Sequence, residues 1–133
     1  MAYLTLNRTK LKENFDFLKQ TFEENDVSWG VVCKLLCGNK LFIQELIDLG
    51  VKEFHDSRIG NLEIVKELNP ELKTVYIKPV SKRYVGKMVQ FADVSLNSEL
   101  ETIRWISQEA VKQDKKHSII IMVETGDLRE GVM

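Results

Sequence analysis

The sequence predicts an α/β fold built on parallel strands, and three observations predict it. Short apolar runs alternate with stretches of helical periodicity along the whole chain. Those runs end near residues 34, 56, 78, 96 and 124, at intervals of 22, 22, 18 and 28 residues. No linker rich in proline or serine interrupts them, and the two prolines, Pro70 and Pro79, stand at element boundaries. Intervals of this size leave room for a helix between successive strands, so the strands run parallel and are joined by right-handed crossovers. Two closures satisfy the pattern: an open doubly wound sheet, or part of a (β/α)8 barrel, which needs roughly 250 residues for its eight units. A chain of 133 residues has length for about five units in one domain.

Each element has its own justification. Leu11, Phe15, Leu18 and Phe22 draw one apolar stripe along a helix over residues 7–22, with Asn7 as its N-cap. Residues 27–34, VSWGVVCK, are a short apolar run ending on a charge, expected as a strand buried on both faces. A helix over 40–49 stops at Gly50, a strand follows over 51–56, and a helix over 59–68 stops at Asn69 and Pro70. Residues 74–77 form the third strand, 81–90 a short helix and 92–96 the fourth strand. Ser98 and Glu101 have the spacing of a capping box and predict a helix over 99–113. The fifth strand covers 118–124. The sequence then stops at residues 130–133 without a closing helix, which predicts a fragment of a larger fold.

Composition excludes several classes. With 44% apolar and 29% charged residues the chain is that of a globular protein and not of a disordered one. Nineteen basic and twenty acidic side chains are interspersed, so there is no basic face for nucleic acid. No window approaches the ~18 apolar residues of a membrane span, and the N-terminus lacks a secretory pattern, which predicts a cytoplasmic protein without a membrane partner. Cys33 and Cys37 are too few for a disulfide framework and wrongly spaced for a redox or zinc motif. Neither nucleotide-binding glycine fingerprint is present, and CGN at 37–39 does not replace one. His55 and His117 lack metal-ligand spacing, so no metal is expected, and His117, beside Lys115 and Lys116, reads as solvated.

In parallel α/β folds the chemistry gathers at the C-terminal ends of the strands. That selects Lys34, Asp56, Ser57, Arg58, Lys78, residues 95–97 and the segment after Glu124. A lysine desolvated at the end of an apolar strand loses its proton more readily and can attack a carbonyl carbon, which makes Lys34 a Schiff-base candidate. The commoner role of such a lysine is to snorkel to solvent. Arg129 follows a turn at Gly126, and its fork suits a phenolate or carboxylate; on spacing alone, pairing with Asp127 or Glu130 is the better reading. Ser57 and Asn97 read first as helix caps and second as ligand contacts, and Arg58 equally as a solvated first-turn residue.

Four segments taken together resemble a known family. The helix ending at Phe22, WGVVCKLLCG at 29–38, SLNSEL at 95–100 and VETGDLREG at 123–131 resemble the N-terminal barrel of the alanine-racemase-like enzymes that use pyridoxal phosphate. The branch most resembled is that of the amino-acid racemases that include ornithine racemase, and the resemblance spans essentially the whole chain. A strand-end lysine near the start and a Thr-Gly-x-x-Arg turn at the fifth strand, in that order, carry most of its specificity.

The resemblance implies a TIM-barrel fold of (β/α) type, incomplete at about five strands of eight, that binds pyridoxal phosphate. Residues 1–133 would be its N-terminal part, with the family's C-terminal β-domain absent. It implies that Lys34 binds the cofactor covalently and moves a proton on one face of the substrate's α-carbon, and that Arg129 hydrogen-bonds the cofactor's ring oxygen. Arg58 and Asn97 are the substrate-binding candidates, and the substrate is an amino acid, a small molecule, with ornithine as one candidate. Cys37 and Gly38 stand where alanine racemases have Tyr then Gly, and Met122 stands where many carry a lysine that can be carbamylated; both departures favour the ornithine-racemase side. None of Tyr3, Tyr76 and Tyr84 matches the family's tyrosine on the opposite face, so the chain alone is expected to be catalytically incomplete. Unpaired sheet edges predict a homo-oligomer. Two other readings stand beside this one: a pyridoxal-phosphate carrier without racemase activity, and a non-enzymatic α/β interaction domain.

Overall fold

The computed structural model describes residues 3–126, 128 and 130–133. Helix α1 (Arg8–Glu23) leads into β1 (Val31–Val32), a 3-10 turn (Lys34–Leu36) and α2 (Lys40–Asp48). Then follow β2 (Glu53–Asp56), α3 (Ile59–Leu68), β3 (Lys73–Tyr76), a second 3-10 turn (Lys82–Tyr84) and α4 (Val85–Phe91). The last elements are β4 (Val94–Asn97), α5 (Leu100–Lys112) and β5 (Ser118–Ile121). All five strands are parallel in one sheet, ordered β1-β2-β3-β4-β5.

That order decides between the two closures. A doubly wound sheet reverses its strand order at a switch point, whereas here every strand lies beside its sequence neighbours, as in a barrel. Register agrees: one row runs Val32, His55, Val75, Val94, Ser118, from the last residue of β1 to the first of β5. Such progressive stagger is what tilts the strands of a closing barrel. Helices α2 to α5 each pack on the next, on one side of the sheet.

Alternation assigns the two faces. Phe54 joins Cys33, Ile43 and Val65 in one apolar cluster, and Tyr76 joins Leu62, Met88 and Ile106 in a second, so these strand residues face the helices. The row beginning at Val32 lies on the opposite, inner face. There Glu53 accepts from Lys73 at 2.8 Å and lies 2.7 Å from His55 Nε2.

Elements differ from expectation at their ends. The first strand is only Val31–Val32 and is not buried on both faces; Val32 is 52% exposed, because the inner face at this edge strand is uncovered. The helix expected over 81–90 begins as a 3-10 turn. The fifth strand ends at Ile121 and is exposed along its length, and beyond it Val123 makes only an isolated bridge to Val132. No capping box forms at Ser98: the cap of α5 is Glu99, without a side-chain hydrogen bond. Asn7 does cap α1, accepting from the Lys10 N–H at 3.0 Å. Asn39 caps α2, accepting from the Leu41 and Phe42 N–H groups, and this is the local role of the CGN segment.

At the N-terminal ends of the strands, Lys66 of α3 donates to Asp93 at 2.8 Å and to the Leu72 carbonyl at 2.8 Å. Asp93 also accepts from the Thr74 N–H at 2.8 Å and the Thr74 hydroxyl at 3.0 Å. This latch ties α3, β3 and the entry to β4 together away from the candidate site. Among the described residues, no helix is long and apolar enough to cross a membrane.

Candidate active site

Lys34 opens the 3-10 turn that follows β1, one residue beyond Cys33, at the end of the sheet where β2 ends at Asp56. Its side chain is exposed and, among the described residues, takes no hydrogen bond or ion pair. The expected desolvation of this lysine is therefore not present in this chain: the apolar strand before it is two residues long and open on its inner face.

The turn is held from below. Cys33 is buried, its N–H donates to the His55 carbonyl at 3.0 Å, and its thiol lies 3.4 Å from Asp56 Oδ2, to which it donates. Burial pushes the Cys33 thiol up to about 12, and the charge and hydrogen bond of Asp56 push in the same direction, so the sulfur keeps its proton. Asp56 is 0% exposed, and its carboxylate accepts two further hydrogen bonds, from the Arg58 N–H at 2.8 Å and from Asn61 Nδ2 at 2.9 Å. Its charge also acts on Tyr76, beside it on β3, whose hydroxyl is raised by burial first and by Asp56 second.

The turn closes through two left-handed residues, Cys37 at φ 47° and Gly38 at φ 73°. Glycine is required at 38: besides its positive φ, a Cβ there would stand 2.8 Å from Ile64 Cδ1 and 2.9 Å from Asn61 Oδ1. Cys37 has no such excuse, and a non-glycine residue held in this region stores of order 1 kcal/mol or more. Its thiol donates to the Lys34 carbonyl at 3.6 Å and receives a hydrogen bond from Arg58 Nη1 at 3.5 Å. Arg58, exposed at the N-cap of α3, is thus brought onto the Lys34 turn.

Asn97 lies elsewhere. It ends β4, is 1% exposed, and by register shares the helix-covered face with Ser95 and Tyr76. His117 Nδ1 lies 3.0 Å from the Ala92 carbonyl, which makes it the donor there and leaves Nε2, 2.8 Å from Ser95 Oγ, as an acceptor. Ser95 Oγ in turn accepts from Asn97 Nδ2 at 3.0 Å, and Asn97 Oδ1 is left buried without a partner. His117 is therefore not a solvated residue. Burial pushes its pKa below 6.5, against the Ala92 carbonyl and Asp93, which favour the charged ring.

After β5 the chain turns around Glu124, whose carboxylate accepts from the N–H groups of Gly126 and Leu128. Arg129 and Asp127 lie outside the described residues. The structure thus brings Lys34 and Arg58 onto adjoining loops and sets Asn97 apart from them. Sequence reasoning marked Asp56 only as a strand-end residue and missed its partnership with Cys33 and Asn61. The legible signal was an acidic residue closing a buried strand, five positions before an asparagine in the following helix.

The family described as alanine racemase, N-terminal domain, matches residues 6–133. The ornithine racemase of Acetoanaerobium sticklandii is 38% identical over 128 residues, which cover 96% of this chain and 36% of that protein. The chain therefore spans about a third of the length of this curated relative. Among solved structures, PipY of Synechococcus elongatus with PLP bound is similar at TM-score 0.63 and 13% identity, over 71% of this chain and 46% of that one. The alanine racemase of Clostridium difficile 630 is similar at TM-score 0.63 and 14% identity, over 71% and 25% of the two chains. A protein of unknown function from Bifidobacterium adolescentis reaches TM-score 0.65 at 12% identity, over 99% and 64%. At such identities these likenesses bear on the fold, and they agree with the barrel-type order and stagger of the sheet.

Proposed function

Because this chain belongs to the alanine racemase N-terminal domain family, we propose that it is the N-terminal part of a pyridoxal-phosphate-binding barrel in a racemase interconverting L- and D-amino acids. Ornithine, or an amino acid close to it in size and charge, is the proposed substrate, on the strength of the 38% identity to an ornithine racemase. Lys34 carries the reading: an amine without a partner among the described residues, on the turn after the first strand, in a chain matched to this family over almost its whole length.

The residues present fit the cofactor. A primary amine suits its aldehyde carbon, and an unpaired one gives up no ion pair on reacting. Lys34 would hold the cofactor through Nζ, and Arg129 would hold its ring oxygen. When bound, pyridoxal phosphate supplies an electron sink for negative charge at the α-carbon of an amino acid. Once the substrate's own amine had displaced it from the cofactor, Lys34 Nζ, again a free amine, would take and return a proton on one face of that carbon. Arg58, on the loop beside it, suits the substrate carboxylate, whereas Asn97, buried under the helices, would support the end of β4 without touching the substrate. Inversion needs a second proton donor on the opposite face, and we assign it to a group outside this chain. A homo-oligomer is part of the same proposal.

The test uses the protein that carries this chain. In deuterated water L-ornithine is expected to exchange its α-proton and lose optical rotation, and Lys34→Ala is expected to slow both by roughly a thousandfold. Retention of pyridoxal phosphate with no exchange across a panel of amino acids would overturn the racemase reading and leave a cofactor carrier.

A further inference from the structure

We propose that Asp56 is a positioning residue whose buried carboxylate, acting through Cys33 and Asn61, fixes the turn from which Lys34 projects. The inference rests on the reading of Lys34 given above.

Among the described residues none fixes the Lys34 side chain by a hydrogen bond or ion pair, so the starting position of its amine is set by the backbone of residues 33–38. Both ends of that segment rest on one carboxylate. At the near end Cys33, adjacent to Lys34, donates its thiol proton to Asp56 Oδ2 at 3.4 Å. At the far end Gly38 lies so near Asn61 that a Cβ there would stand 2.9 Å from its Oδ1, and Asn61 Nδ2 donates to the same carboxylate oxygen at 2.9 Å. The other oxygen holds the Arg58 N–H at 2.8 Å and so fixes the loop that carries the neighbouring guanidinium.

The charge itself is informative. Asp56 is 0% exposed, and among the described residues no cation lies within ion-pair distance of it; three neutral donors compensate it. An uncompensated buried carboxylate is unfavourable, and apolar packing of the same volume generally serves stability as well or better. What a carboxylate adds is several directed hydrogen bonds from one point, an arrangement that fixes the backbone from which a reactive side chain departs.

The experiment compares Lys34 with other exposed lysines of the same molecule. The protein that carries this chain is treated with limiting pyridoxal phosphate, reduced with borohydride and peptide-mapped. The label on Lys34 is divided by that on Lys10, Lys52 and Lys116, which are exposed and unpaired. A loss of stability alone does not move this ratio while the protein stays folded, as circular dichroism and melting temperature report. The expected result is that Asp56→Asn and Cys33→Ala each lower the ratio by about tenfold or more. Cys33→Ser, which restores a donor to the carboxylate, is expected to recover most of it.

Should Asp56→Asn fail to fold, Cys33→Ala and its rescue by serine decide the question. Folded variants that keep the wild-type ratio overturn the positioning role and leave the reading of Lys34 intact. A wild-type protein with no preference for Lys34 overturns both.

Discussion

Cys33 and Lys34 are sequence neighbours with opposite surroundings: one thiol sealed against a carboxylate, one amine open to solvent. Only the lysine was visible in the sequence, because a cysteine closing an apolar run is indistinguishable from a small hydrophobe until its hydrogen-bond partner is known. His117 was misread for a related reason, since its two lysine neighbours suggest a wet surface while its ring turns back to Ser95 and the Ala92 carbonyl. Its neutral form is the one that orients Asn97. A folded pKa below the ordinary 6.5 favours the neutral ring, so the associated stability is complete above 6.5 and is lost as pH falls through the depressed value. Proton NMR is expected to show His117 titrating below 6.5, and a midpoint at or above 6.5 would contradict the relay.

At the scale of elements, the positions of the helices and strands were legible, and their ends were not. Alternation of apolar runs with helical stripes reports which segments are buried on which face, and that signal survives anywhere a segment meets the core. Ends depend on capping geometry and on which neighbours a strand finds. Ser98 and Glu101 had the right spacing, but the helix starts at Leu100 and the box never closes. β1 kept two paired residues of the expected eight, because the chain turns at Lys34 and residues 27–30 pair with no strand, and β5 gave up its last residues to the loop around Glu124. The Lys66–Asp93 latch shows how elements are joined at the other end of the strands. Burial alone would raise the Asp93 carboxyl, but hydrogen bonds from Lys66 and Thr74 and the Lys66 charge hold it below its ordinary 3.8. A depressed carboxyl stabilises the fold fully above 3.8, and that contribution disappears as pH falls through the lowered value. Lys66→Met is therefore expected to lower the urea midpoint at pH 7 and to flatten its decline in acid. An unchanged acid dependence would show that Lys66 does not hold that carboxylate.

For the whole molecule, the parallel α/β class followed from spacing, while closure as a barrel could not. Interval lengths are the same in a doubly wound sheet, and the choice depends on strand order and stagger, which no local pattern encodes. The row from Val32 to Ser118 supplies the missing information, as does the placing of α2 to α5 on one side. The site was partly legible: Lys34 and Arg58 share one end of the sheet, whereas Asn97 sits under the helix layer. The cofactor was legible only through resemblance, because nothing in composition distinguishes a reactive lysine from a solvated one. The most direct measurement is a peptide map of the protein isolated with its own cofactor and reduced before unfolding. The added mass should lie on Lys34 alone; an adduct confined to a different lysine, or undiminished racemisation by Lys34→Ala, would contradict the account.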